Sequence, residues 1–66
     1  MLTIARVRKE YHGDLCRRCL NEVYGVRLIP ANCRYYRGLD ECPRCGMVHH
    51  IVRGFTATGL LKTMWV

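Results

Sequence analysis

Cys16-Arg17-Arg18-Cys19 and Cys42-Pro43-Arg44-Cys45-Gly46 decide how this chain folds. The motifs read C-x2-C and C-P-x-C-G, with 22 residues between them. A C-x2-C loop turns tightly enough to aim both sulfurs at one centre. Two such loops complete a tetrahedral four-sulfur set, the geometry of structural zinc. Pro43 fixes its own φ in the second turn, and Gly46, directly after the last cysteine, suits a left-handed φ. The first motif carries Leu20 and Asn21 at that place, and Asn21 is expected to turn left-handed one position later. Cys16, Cys19, Cys42 and Cys45 are thus the expected ligands of one Zn2+. Four protein ligands leave no open coordination position, so the expected role of the metal is structural.

The chain needs such a staple. Its 66 residues are read as one domain, 1–66, and a domain of this size buries too little surface to be secure on packing alone. Metal binding in small zinc peptides is coupled to folding and contributes about 10–16 kcal/mol. Half the residues are hydrophobic and only two are Pro, a composition that favours a globular chain over a disordered one. The first eight residues carry no apolar core of a secretory signal, and no stretch reaches the roughly 18 apolar residues of a membrane span. The expected compartment is therefore the cytoplasm, where thiols stay reduced, with no membrane partner.

Other donors keep alternatives open. Cys33 has no partner in sequence and is read first as a small buried hydrophobe, second as a reactive thiol or substitute ligand. Cys45-x3-His49 is a possible ligand interval, and neighbouring His49 and His50 are expected to point to opposite faces of a strand. A rubredoxin-type iron site would use the same four sulfurs. A thioredoxin-like redox reading would need a βαβ setting, for which the chain is too short.

Around the motifs the chain reads as mostly β. Residues 2–8 alternate weakly and are expected to form a short strand. Tyr24, Val26 and Leu28 share a face at period two in a β-rich run that Pro30 ends. Residues 33–37 and 47–52 supply two more strand candidates. Leu60, Leu61, Met64 and Trp65 match one face of a short C-terminal helix capped by Thr58, or else a final strand. Trp65 and Phe55 are expected in the core.

Eleven Lys and Arg, nine of them Arg, stand against five Asp and Glu, a formal charge of +6. Four thiolates and a divalent ion would leave the folded domain at about +4, still attractive to polyanions. Arg17, Arg18 and Arg44 lie inside the knuckles, where they either offset the thiolates or present cations to phosphate. Arg34-Tyr35-Tyr36-Arg37 interleaves cations with aromatics, as a surface that stacks on unpaired bases does. These seven residues are the candidate nucleic-acid contacts. The apolar C-terminus is the alternative, a docking segment for a protein partner. Catalysis has no visible basis: there is no Ser-His-Asp set, no phosphate loop and no paired carboxylates, and no small-molecule substrate is expected.

The knuckles resemble those of the zinc-ribbon superfamily, which often read C-P-x-C-G, over about residues 14–53. The chain also resembles, more faintly, the small Com-like zinc-finger regulators of Mu-like phages. The first resemblance implies a small metal-stabilised β-dominated domain, with two knuckles, about three antiparallel strands and a short terminal element. The second implies RNA binding in a regulatory role.

Overall fold

Thr3 starts the first element. In the computed structural model, which describes residues 1–66, its Oγ1 accepts from the Arg6 N–H at 3.1 Å and caps helix α1, Ile4–Tyr11. Val7 is fully buried, with Ile4 and Tyr11 packed against the same core, so a helical stripe runs through these positions. On the outer face Arg6 and Glu10 pair one turn apart at 2.9 Å. The strand expected over residues 2–8 is therefore a helix. The weak alternation there coexists with a 3.6-residue stripe, and the cap and the ion pair favour the latter. His12 ends the helix at φ 57°.

The first knuckle also opens a helix. Cys16 is the N-cap of α2, Arg17–Tyr24, which buries Cys19 and Leu20 and packs Val23 and Tyr24 against the core. Gly25 closes it at φ 67°, its N–H reaching the Asn21 carbonyl at 3.0 Å. The left-handed residue is thus Gly25, and Asn21 lies within the helix. The strand expected through Tyr24, Val26 and Leu28 does not form. Asn21 takes its place as hydrogen-bonding partner: its Oδ1 accepts from Leu28 N–H at 2.8 Å and its Nδ2 donates to Leu28 O at 3.1 Å. Arg17 Nη1 donates to the same carbonyl at 2.9 Å. Val26 and Leu28 are buried by this docking without any sheet.

A 3-10 turn, Pro30–Asn32, leads into β1, Cys33–Tyr35. Strands β2, Asp40–Glu41, and β3, Val48–His49, flank the second knuckle, and β4, Val52–Phe55, follows. β1 pairs antiparallel with β4, with a register irregularity between Arg34 and Tyr35, while β2 pairs antiparallel with β3. The expected strand over 47–52 is therefore divided between two separate sheets. Helices of eight, eight and seven residues outweigh strands of three, two, two and four, so the fold is not β-dominated.

The C-terminal element is helix α3, Ala57–Thr63, capped by Thr56 rather than Thr58. Thr58 Oγ1 instead accepts from the buried Asn32 Nδ2 at 3.0 Å. The inward positions are Gly59 and Thr63. Leu60, Leu61 and Met64 stay exposed, and Trp65, expected in the core, is 87% exposed. Phe55 packs half-buried against the core. Gly59 sits so close to the 3-10 turn that a Cβ there would collide with the Asn32 backbone carbonyl. The N-terminus joins this end through Leu2 N–H to Thr63 O at 2.9 Å.

Only 15 of the 66 residues are buried, and three of them are knuckle cysteines. The core therefore runs directly into the sulfur cluster. We expect Gly59→Ala to lower unfolding free energy by about 1–3 kcal/mol through overpacking. Leu61→Ala on the exposed face should stay within about 0.5 kcal/mol. Denaturant titration of the two variants checks both.

Candidate metal centre and basic groove

Cys16, Cys19, Cys42 and Cys45 bring one ligand atom each to within 4.8 Å of one another. Four sulfurs bound at 2.3 Å to one tetrahedral ion lie about 3.8 Å apart. Here Cys19 and Cys42 sulfurs are 3.6 Å apart, and those of Cys16 and Cys45 are 4.0 Å apart. The cluster thus has the dimensions of a tetrathiolate site, and the four cysteines can hold one metal ion. The donor set is compatible with structural zinc.

Each knuckle is shaped locally. Cys16 and Cys19 stand at the start of α2, whose unpaired N–H groups and dipole favour thiolates. The second knuckle closes as Gly46 N–H reaches Cys42 O at 2.8 Å and Cys42 N–H reaches Met47 O at 2.9 Å. Gly46 stands at φ 71°, as its place after the last cysteine suggested. Across the cluster, Cys16 N–H donates to Cys42 Sγ at 3.5 Å.

The environment prepares the sulfurs unequally. Burial raises the Cys42 thiol, but N–H donors from Cys16, Cys45 and Arg44 outweigh it and hold it at about 6. Burial pushes Cys16 up to about 12. Burial also raises Cys19, against a hydrogen bond from Arg44 that pulls it down. Arg44 donates as well to Glu22 Oε2 at 2.7 Å, and Glu22 meets Arg18 at 3.5 Å. Glu22 on α2 therefore ties the second knuckle to the first from outside, and Arg44 offsets sulfur charge. Cys33 is buried outside the cluster, and neither His49 nor His50 joins it.

The candidate nucleic-acid contacts fall in three places. Arg17, Arg18, Tyr35, Tyr36 and Arg37 line one groove of about 590 Å³, together with Cys16, Pro30, His49 and His50. One wall is the start of α2 and the other is β1 with the residues after it. Both histidines border this groove, although their adjacency on a strand suggested opposite faces. Arg34 lies outside it, exposed on β1 opposite Gly54, and Arg44 lies at the sulfur cluster. The groove shares Cys16 with the metal centre, so a metal that fixes Cys16 also fixes the groove wall.

Two residues that bear on the groove had no signal in the sequence. Tyr36 OH donates to Asp14 Oδ2 at 2.5 Å and accepts from Arg8 Nη2 at 3.1 Å. Burial would raise the Asp14 carboxyl, but hydrogen bonds from Arg8 and Tyr36 outweigh it and hold it below its ordinary value. Positions 8, 14 and 36 are too far apart for any local pattern to join them.

No family model, curated protein or solved structure matches the chain. No helix is long and apolar enough to cross a membrane.

The cluster makes a sharp prediction for Co2+, whose visible absorption is intense when bound by four thiolates. Cys19→Ser and Cys42→Ser should each reduce and blue-shift that absorption and weaken binding, whereas Cys33→Ser should leave the spectrum unchanged. Optical titration of the reduced protein checks this.

Proposed function

We propose that the chain is a zinc-stabilised module that binds unpaired nucleic acid, RNA or single-stranded DNA, in a regulatory role. One observation carries the reading: five of the seven basic and aromatic candidates line a single groove against the sulfur cluster. Guanidinium groups there can neutralise phosphates while tyrosines offer stacking faces, the combination used for single strands. Zinc is the metal of choice for four thiolates. The C-P-x-C-G knuckle, set in the β2–β3 hairpin, supports kinship with zinc ribbons, with α1, α2 and α3 as additions. The likeness to Com-like regulators favours RNA and a regulatory role, and a reduced four-cysteine cluster suits a cytoplasmic setting. With four protein ligands the zinc performs no chemistry, and the function lies on the surface it fixes.

A second reading is favoured by one feature. Leu61 and Trp65 are strongly exposed at the far end of the chain, as a protein-docking segment would require.

Fluorescence anisotropy with labelled single-stranded oligonucleotides separates the two. Affinity should fall steeply with salt, with a slope of about −0.7 per phosphate contacted. Arg18→Ala and Arg37→Ala should each weaken binding and reduce that slope by about 1. Absence of binding to both RNA and DNA at low salt would leave only the docking reading.

A further inference from the structure

Tyr36 is held far more firmly than a surface tyrosine needs to be. Arg8 grips the Asp14 carboxylate through Nε at 2.8 Å and Nη2 at 3.2 Å, and both side chains hold the Tyr36 hydroxyl. At the other end of the residue, Tyr36 N–H donates to Ile51 O at 3.0 Å, and His50 Nδ1 lies 3.3 Å from the Tyr36 carbonyl. Backbone and hydroxyl are thus both fixed. The Asp14 side chain is only 9% exposed, so its carboxylate depends on these partners. Yet Tyr36 itself remains 42% exposed. An aromatic residue restrained at both ends and still accessible loses little freedom when something stacks on it.

The charge differs on its two sides. Tyr36 borders the groove of Arg17, Arg18 and Arg37 and also a second depression of about 370 Å³, lined by Asp14, Asp40 and Glu41. A phosphate chain is attracted to the first side and repelled from the second.

We propose that Tyr36 is the stacking platform of the groove, that Asp14 and Arg8 are its positioning residues, and that its occupant is an unpaired base. The phosphates of that strand lie on the arginine side, and the acidic depression marks where the strand stops. The proposal rests on the nucleic-acid reading of the groove.

The test uses the metal-loaded full chain and labelled oligo-U and oligo-dT, read by anisotropy as a function of salt. Charge alone predicts that Asp14→Asn, which removes a carboxylate, tightens binding. The platform predicts the opposite: a loss of about three- to tenfold, the cost of immobilising one freed side chain. The salt slope should not change, because no phosphate contact is lost. Tyr36→Ala should cost roughly tenfold or more. Tyr36→Phe keeps the ring but not the tether, so it should match Asp14→Asn, and adding Asp14→Asn to it should cost nothing further. A 2-aminopurine in the strand should be quenched by the wild type and less so by either variant at saturation.

Tighter or unchanged binding by Asp14→Asn overturns the proposal, as does an equal cost in both backgrounds. If Asp14→Asn does not fold, Tyr36→Phe, which keeps the Arg8–Asp14 pair, decides alone, and an unchanged affinity overturns it. Failure of the wild type to bind either oligonucleotide overturns the groove reading itself, a distinct result.

Discussion

Four sulfurs converging on one point are the constraint on which the rest of this structure depends. They join the start of α2 to the β2–β3 hairpin across 22 intervening residues. Three of the four are buried and continuous with the apolar core, so the cluster is part of the core and not an appendage. Without an ion, thiols of very different proton affinity crowd together within a core cluster of only 12 residues. Were that ion zinc, bound as in small zinc peptides, about 10–16 kcal/mol of binding would become folding free energy. Glu22 adds a smaller external tie, reaching Arg44 on one knuckle and Arg18 on the other. Exposed pairs of this kind contribute little individually, so the sulfurs remain decisive.

The same constraint organises the surface. Cys16 belongs to the cluster and also lines the groove, and α2 begins there, so the metal centre sets where Arg17 and Arg18 stand relative to Tyr35, Tyr36 and Arg37. Arg17 is fixed further by its bond to Leu28 O, whereas Arg18 remains free enough to meet a ligand. The C-terminal helix carries a different character, with α3 turning Gly59 and Thr63 inward and leaving Leu61 and Trp65 outside. The groove and the exposed apolar residues of α3 are formed by different residues, in a molecule only 27 Å long.

The centre was legible in the sequence because its chemistry is local. Cysteine spacing and the glycine after the second knuckle each specify a turn, and the structure gathers those four sulfurs and sets Gly46 left-handed. Cys33 was separable for the same reason, since it has no partner at a ligand interval. Of the helices, α3 was legible as the C-terminal helix, though not its cap or its inward face, while α1 and α2 were not. Two-turn segments such as Ile4–Tyr11 and Arg17–Tyr24 are too short for a 3.6-residue stripe to stand out from alternation, and their β-branched and aromatic residues favour a strand locally. The Thr3 cap, the Arg6–Glu10 pair and burial of Val7 decide for helix in the first, and burial of Cys19 and Leu20 in the second. Gly25 and the Arg18–Glu22 spacing were the available signals for α2. Trp65 misled because large apolar residues in small domains are usually needed inside, while the tight approach of Gly59 to Asn32 turns the other face of α3 inward. The Arg8–Asp14–Tyr36 arrangement depends on the fold alone.

The central claim is that bound metal and folded state are one equilibrium. Native mass spectrometry of freshly purified, reduced protein, followed by chelator titration monitored by far-UV circular dichroism, tests it most directly. The account predicts one zinc per chain and cooperative loss of helical signal as that zinc is withdrawn, restored when zinc is returned. A chain that carries no metal, or that keeps its full helical signal and thermal transition after the metal is gone, would contradict it.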